Sequence, residues 1–229
     1  MSAVDIVSNI ANVQARIAAA ELAAHRPRGS VCLLAVSKTK PASLVRAAAA
    51  AGLRAFGENY LQEGVDKISA LSDLDLVWHF IGPIQSNKTR PIAEHFDWVH
   101  SVDREKIARR LSEQRPLDRP PLNICLQVNI SQEATKAGLH PDEVGAVAET
   151  IAGLPNLVLR GLMAIPAPAT TLAAQRQPLA ALRELQAKLA LKHPTMDTLS
   201  MGMSGDLEAA IAEGSTMVRV GTDIFGARS

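Results

Sequence analysis

Two lysines one residue apart, Lys38 and Lys40, close the apolar run Val31-Cys-Leu-Leu-Ala-Val-Ser37 just before Pro41. An unbroken run of that length, ended by a proline suited to a helix start, reads as a strand buried on both faces, as parallel strands are. Side chains alternate along a strand, so Leu34, Val36 and Lys38 share a face and Lys38 follows two core residues inward. Burial and the neighbouring charge of Lys40 both disfavour the ammonium, lower its pKa and leave an amine able to attack a carbonyl. The chemistry this predicts is a Schiff base. The alternative is a lysine whose stem carries its charge out to solvent.

A second group has the makings of an anion cradle. Ser204-Gly205-Asp206 and Gly221-Thr222 are glycine-bearing turns, and where a helix begins after such a turn its unpaired N–H groups can hold a phosphate. Each has a plainer role when taken singly: Gly221 as a turn residue, Ser204 or Asp206 as a helix cap, Asn59 as a helix start.

The elements that position these residues follow from periodicity. After an Ala-rich amphipathic helix over about residues 2–24, strands are predicted at 31–37, 54–57, 76–82, 98–101, 123–130, 157–165, 199–201 and 217–220. Helices fit between them at about 41–51, 59–71, 86–95, 103–114, 141–153, 174–191 and 205–213. Eight βα units predict an α/β fold, a closed single-domain (β/α)8 TIM barrel over residues 1–229, with residues 1–25 as an extra N-terminal helix packed on it. On this scheme the polar residues fall where strands end. Lys38 follows the first, Glu58 and Asn59 the second, Met163 closes the sixth, Ser204 follows the seventh, and Arg219, Gly221 and Thr222 lie at the eighth. That rim carries barrel active sites, and the loops after strands seven and eight carry their phosphate sites. An amine and a phosphate cradle on one rim point to pyridoxal 5′-phosphate (PLP), which bears both an aldehyde and a phosphate.

Other residues are less decisive. His79, inside the third strand, reads as a hydrogen-bonded core histidine, with a secondary role at the site as the alternative. Neither His95 nor His100 has a partner readable from sequence. Tyr60 fits helix packing or a pocket wall, and Met201 and Met203 fill space or face a flat aromatic ligand. Lys136, in the polar loop after strand five, is a solvated lysine or a transient holder of the ligand's aldehyde or phosphate.

Composition narrows the partners. Hydrophobic residues make up 47% and charged residues 21% of 229, with a net charge of +1, so there is no electrostatic case for nucleic acid or an anionic membrane. Small molecules are the expected partners. Cys32 and Cys125 both lie in apolar strands and are expected as buried hydrophobes in a reducing compartment, with no zinc site. The first helix carries Asp5, Asn9, Asn12 and Gln14, unlike a signal peptide or a spanning segment, so a cytoplasmic location is expected.

Five co-linear motifs then carry a resemblance. Ala35-Val-Ser-Lys-Thr-Lys-Pro41, Phe56-Gly-Glu-Asn-Tyr60, His79-Phe-Ile-Gly82 with Gln85-Ser-Asn-Lys88, Ser200-Met-Gly-Met-Ser204, and Val218-Arg-Val-Gly-Thr222 followed by Ile224-Phe-Gly226 resemble the pyridoxal phosphate homeostasis protein family. This family is also called the proline synthase co-transcribed bacterial homologue group. The resemblance, running from about residue 30 to residue 228, implies a barrel of the alanine-racemase N-terminal-domain type with PLP as an internal aldimine on Lys38. It further implies that Ser204, Gly221 and Thr222 hold the phosphate, Arg219 faces the pyridine nitrogen, and Asn59 and Met163 line the ring. Family members bind PLP and keep its vitamers in balance without a robust turnover reaction.

The expected partners are therefore PLP, other B6 vitamers and transient PLP-acceptor enzymes, and the chain is expected to be a monomer. A low-activity PLP-dependent amino-acid racemase is the alternative. A permanently charged guanidinium at the pyridine nitrogen would weaken the ring as an electron sink. The second base of two-base racemisation comes, in larger alanine-racemase-type enzymes, as a tyrosine from an added domain not expected here. Two departures stand out: Asp223, beside the phosphate turn where many members have a small residue, is expected to point away, and no role is expected for the basic tail found in some relatives.

Overall fold

Each predicted apolar run forms a strand: β1 (Cys32–Val36), β2 (Ala55–Glu58), β3 (Val77–Phe80), β4 (Trp98–Val102), β5 (Leu122–Gln127), β6 (Leu157–Met163), β7 (Thr198–Ser200) and β8 (Met217–Val220). These come from a computed structural model that describes residues 5–227 except residue 135. The strands close into a barrel in chain order, every neighbouring pair parallel. Closure pairs β1 with β8 through Leu34–Arg219 and Ala35–Val220, which sets the lysine loop beside the arginine strand.

Around the barrel, the described helices are α1 (Ile6–Ala23), α2 (Ala42–Ala50), α3 (Leu61–Ala70), α4 (Thr89–His95), α5 (Glu105–Gln114), α6 (Val144–Ala152), α7 (Leu172–Ala190), α8 (Leu207–Ala212) and α9 (Thr222–Phe225). The last was not expected, because four residues are too few to show a helical period. Residues 2–4 of the expected first helix lie outside the described residues. Strands five and six stop at Gln127 and Met163, short of the expected 130 and 165.

Outward strand residues such as Phe56, Phe80, Val99, Ile124 and Val220 join Val45, Ile107, Leu111 and Leu182 of the helices in one buried apolar cluster. Ile6, Ile10, Val13, Ile17 and Ala20 recur at steps of four and three, which stacks them on one face of α1. That face is buried, and α1 packs against α8 and α9. Each Ile or Val so covered contributes about 1.5–3 kcal/mol. Asp5 caps the helix by accepting from the Ser8 amide at 3.0 Å. At the other end buried Glu21 accepts from the amides of Gly29 and Val31, both at 2.9 Å, and so delivers the chain into β1.

Cys125 is fully buried, as expected, but Cys32 is exposed. It is the first residue of β1, at the rim where a groove lined by Gln14, Ile17 and Arg54 opens between α1 and the barrel. Among the described residues no helix is long and apolar enough to cross a membrane.

Candidate functional site

The lysine loop is held from below. β1 ends at Val36, and Thr39, next to Lys38, has φ 63°, a left-handed conformation that a β-branched residue adopts at a cost of about 1–3 kcal/mol. Its amide donates to Glu63 Oε1 at 2.6 Å. Ser37 Oγ donates to Glu58 Oε1 at 2.5 Å. Lys67, reaching across from α3, donates to the Ser37 carbonyl at 2.6 Å, Glu58 Oε1 at 2.8 Å and Glu63 Oε1 at 2.5 Å. Burial pushes the Glu58 carboxyl up, against the pull of Lys67 and Ser37.

Asn59 follows Glu58 onto the rim. The chain can pass there because residue 82 is glycine: a Cβ on Gly82 would lie 2.1 Å from the Asn59 carbonyl oxygen. Ser101 Oγ secures that crossing by donating to the Gly82 carbonyl at 2.5 Å. The side-chain oxygen of Asn59 is buried without a hydrogen-bond partner, so it is an acceptor waiting for a donor.

Arg219 points inward from β8 and is 5% exposed. Nη1 donates to the Ser200 carbonyl at 2.6 Å and to Ser200 Oγ at 2.8 Å, and Nη2 donates to the Ala164 carbonyl at 2.9 Å. The Ser200 hydroxyl also lies 2.8 Å from His100 Nδ1, and His100 Nε2 lies 2.9 Å from His79 Nδ1. Because β4 and β7 are three strands apart, the His100–Ser200 contact crosses the barrel interior. Arg219 can only donate, so Ser200 Oγ accepts from it, and Ser200, His100 and His79 form one continuous chain of contacts. Both imidazoles are neutral: burial pushes His79 down to about 3, and burial, together with the neighbouring His79 and the charge of Arg219, holds His100 well below its ordinary value. Burial also lowers Arg219, to about 10, which leaves it a cation at neutral pH.

A cavity of about 340 Å³ opens between these supports. Lys38, Asn59, Met163, Ser204, Arg219, Gly221 and Thr222 all line it, and Val36, Ile81 and Met203 supply apolar wall. The secondary candidates sit elsewhere. Lys40 Nζ donates to the Ala227 carbonyl at 2.6 Å, tying down the chain after α9, and does not line the cavity. Lys136 pairs with Glu133 at 2.7 Å and reaches the carbonyl of the cavity-lining Ile165 at 3.4 Å, which places it at the rim. His79 lies beneath the cavity, within the relay. Tyr60 occupies the cap position of α3 and is 52% exposed. Of the two methionines Met201 is fully buried and Met203 lines the cavity.

Asp223 does turn away from the cavity, toward Arg16 Nη1 at 3.0 Å. The same arginine contacts Glu208 at 2.9 Å and the Ser204 carbonyl at 2.9 Å, so α1 braces both loops of the expected phosphate side. Sequence reasoning missed Arg16, Lys67, Glu63, Ser200 and the partners of His100. For Lys67 a signal was present, a Glu63-to-Lys67 spacing of four on one helix, but not its burial.

The donor set fits a small flat molecule with an anionic end and an electrophilic carbon. Ser204 and Thr222 offer hydroxyls, Gly205 and Gly221 leave backbone uncovered, Arg219 offers a cation and Lys38 an amine. Asn59 offers the unpaired acceptor.

Comparison with known proteins agrees. The alanine racemase N-terminal domain model matches residues 8–229. The chain is 66% identical over 223 residues to the pyridoxal phosphate homeostasis protein of Pseudomonas aeruginosa, covering 97% of this chain and 96% of that one. It is 54% identical over 227 residues to that of Escherichia coli, covering 98% and 97%. Among solved structures it is similar to PipY of Synechococcus elongatus with PLP bound, at 40% identity and a TM-score of 0.84 over 97% of this chain and 100% of that one. Alanine racemase from Corynebacterium glutamicum, 17% identical with a TM-score of 0.70 over 95% of this chain and 60% of that one, shares the fold alone. With a closed eight-stranded barrel and these relatives along nearly its whole length, the chain belongs to the pyridoxal phosphate homeostasis protein family, built on the alanine racemase N-terminal domain.

Proposed function

We propose that this protein holds PLP in the cavity at the carboxyl end of the barrel and exchanges it with acceptors, contributing to vitamin B6 homeostasis. The observation that carries the reading is one cavity lined at once by Lys38, Arg219, Ser204, Gly221 and Thr222. When bound, PLP supplies an aldehyde carbon that condenses with an amine, with loss of water. Lys38 is that amine. Ser204, Gly221 and Thr222 hold the phosphate through hydroxyl and backbone donors, Arg219 donates to the pyridine nitrogen, and Asn59 and Met163 orient the ring.

The same residues favour holding over turnover. Among the described residues that line the cavity there is no Asp, Glu, His, Cys or Tyr, so nothing stands ready as the second acid/base that racemisation requires. As a permanent cation, Arg219 also opposes a proton on the pyridine nitrogen. Half-buried Lys38 and Met203, which is 41% exposed, leave the mouth open, which suits exchange. The reading extends to a cytoplasmic monomer that accepts related B6 vitamers and passes PLP to acceptor enzymes, with Lys136 at the rim as a transient contact.

Purified protein incubated with PLP should gain visible absorbance, and borohydride followed by peptide mass spectrometry should fix pyridoxyl on the peptide containing Lys38. A protein that stays colourless, or carries the label elsewhere, overturns the proposal.

A further inference from the structure

Lys67 is buried, charged and outside the cavity, and it is linked to the chain on both sides of Lys38, to Ser37 directly and to Thr39 through Glu63. Its ammonium has three donors and three acceptors: the Ser37 carbonyl, Glu58 Oε1 and Glu63 Oε1. Glu58 Oε1 in turn accepts from Ser37 Oγ, and Glu63 Oε1 accepts from the Thr39 amide. Residues 37 and 39 therefore hang from one ion triad, with Lys38 between them. Thr39 is also held at φ 63°, a conformation that persists only where the surroundings over-determine it, as functional sites often do. Lys67 is 5% exposed and Glu58 0%. Ion groups so buried rarely stabilise a fold more than apolar side chains of the same size, so stability alone is a weak reason for this one.

We propose that Lys67 is a positioning residue for Lys38: through Ser37 directly and Thr39 by way of Glu63, it sets the backbone that aims the Lys38 amine at the PLP aldehyde. The inference rests on Lys38 being the amine that reacts. In that reaction the Nζ lone pair forms the C–N bond, the amine loses two protons in all, and the aldehyde oxygen leaves as water. Nothing in the triad exchanges a proton with the ligand. Its contribution is the placement of Nζ, and a misplaced nucleophile reacts less well even when the rest of the ligand is bound as before.

The test separates placement from binding. Pyridoxine 5′-phosphate has the ring and phosphate of PLP but an alcohol in place of the aldehyde, so it reports the cavity without Lys38 chemistry. Lys67→Met is compared with the triple variant Glu58→Leu, Glu63→Leu, Lys67→Met, which removes the whole triad and leaves no carboxylate stranded should the single variant fail to fold. In each folded variant the Lys38–PLP linkage, read by absorbance and borohydride trapping, should weaken by about tenfold or more. Calorimetric affinity for pyridoxine 5′-phosphate should change by less than about twofold, because no triad side chain lines the cavity. Without any ligand, the Thr39 amide should exchange hydrogen faster than in the wild type. An unchanged linkage in a folded variant, or equal loss of linkage and pyridoxine 5′-phosphate affinity, overturns the proposal. A wild-type protein that binds pyridoxine 5′-phosphate but forms no linkage to Lys38 overturns the functional reading, and this one with it.

Discussion

Lys67, Glu58 and Glu63 place three ionisable groups beneath the Lys38 loop, two of them almost wholly buried, whereas the support under Arg219 runs through Ser200, His100 and His79, all neutral. Both supports are hydrogen-bonded networks, although Glu58 Oε2 stays buried without a partner, and they grip different things. The triad takes hold of backbone on either side of Lys38, whose side chain lines the cavity. The relay takes hold of the guanidinium through Ser200 Oγ, beside the backbone carbonyls of Ser200 and Ala164, and makes no ion pair with it among the described residues. Buried charges are costly to leave uncompensated, while a closed neutral network satisfies the interior without net charge. On the proposed function, the difference is between a group that reacts and one that only donates.

The sharpest way to break this contrast is Lys67→Met, which strands two carboxylates and should lower the unfolding free energy by about 3–5 kcal/mol in urea titrations. The triple apolar variant should recover to within about 1 kcal/mol of the wild type; if it stays as weak as the single variant, the triad is structural and not a charge placed for Lys38. On the relay side, Ser200→Ala removes a hydroxyl from between His100 Nδ1 and Arg219. That loss should cost about 2 kcal/mol, and no single apolar change at His100 or His79 should restore it.

Smaller effects separate the two regions by pH. His79 and His100 have pKa values depressed by burial. Below about 6.5 the unfolded chain therefore takes up protons that the folded chain does not, and stability falls as pH falls. Between pH 6 and 4, His100→Asn should make that fall shallower by about 1.4 kcal/mol per pH unit, read by urea unfolding across the range. The opposite sign belongs to Glu58, whose carboxyl is raised by burial: its contribution is most favourable when protonated, so it offsets part of the acid loss. Smallest of all, Thr39→Gly should raise stability by about 1 kcal/mol by relieving the left-handed backbone. It should also weaken the Lys38–PLP linkage, which no gain in stability would explain.

Much of this was legible in the chain. Eight apolar runs appeared as strands within a few residues of their places, because parallel barrel strands are buried on both faces and stand out as continuous hydrophobic segments. Seven residues at strand ends converged on one cavity for the related reason that a barrel puts those ends on one rim. Short α9, the exposure of Cys32 and the diversion of Lys40 to Ala227 left no comparable trace. Each depends on what a neighbour distant in sequence does or fails to cover.

Local pattern alone determined the repeat of strand and helix, the amine at the end of β1 and the small polar turns after β7 and β8. These are properties of segments, set by periodicity, chain geometry and residue chemistry. Closure of the barrel decided the rest. It brought His100 of β4 against Ser200 of β7, 100 residues apart, and Arg16 of α1 onto Ser204 and Asp223, 188 and 207 residues away. A lysine on the face of α3 became a buried anchor because Glu58 and the Ser37 carbonyl met it inside. Charge and hydrogen-bond partners in an interior are set by proximity in space, and in a barrel only the tertiary fold assigns it.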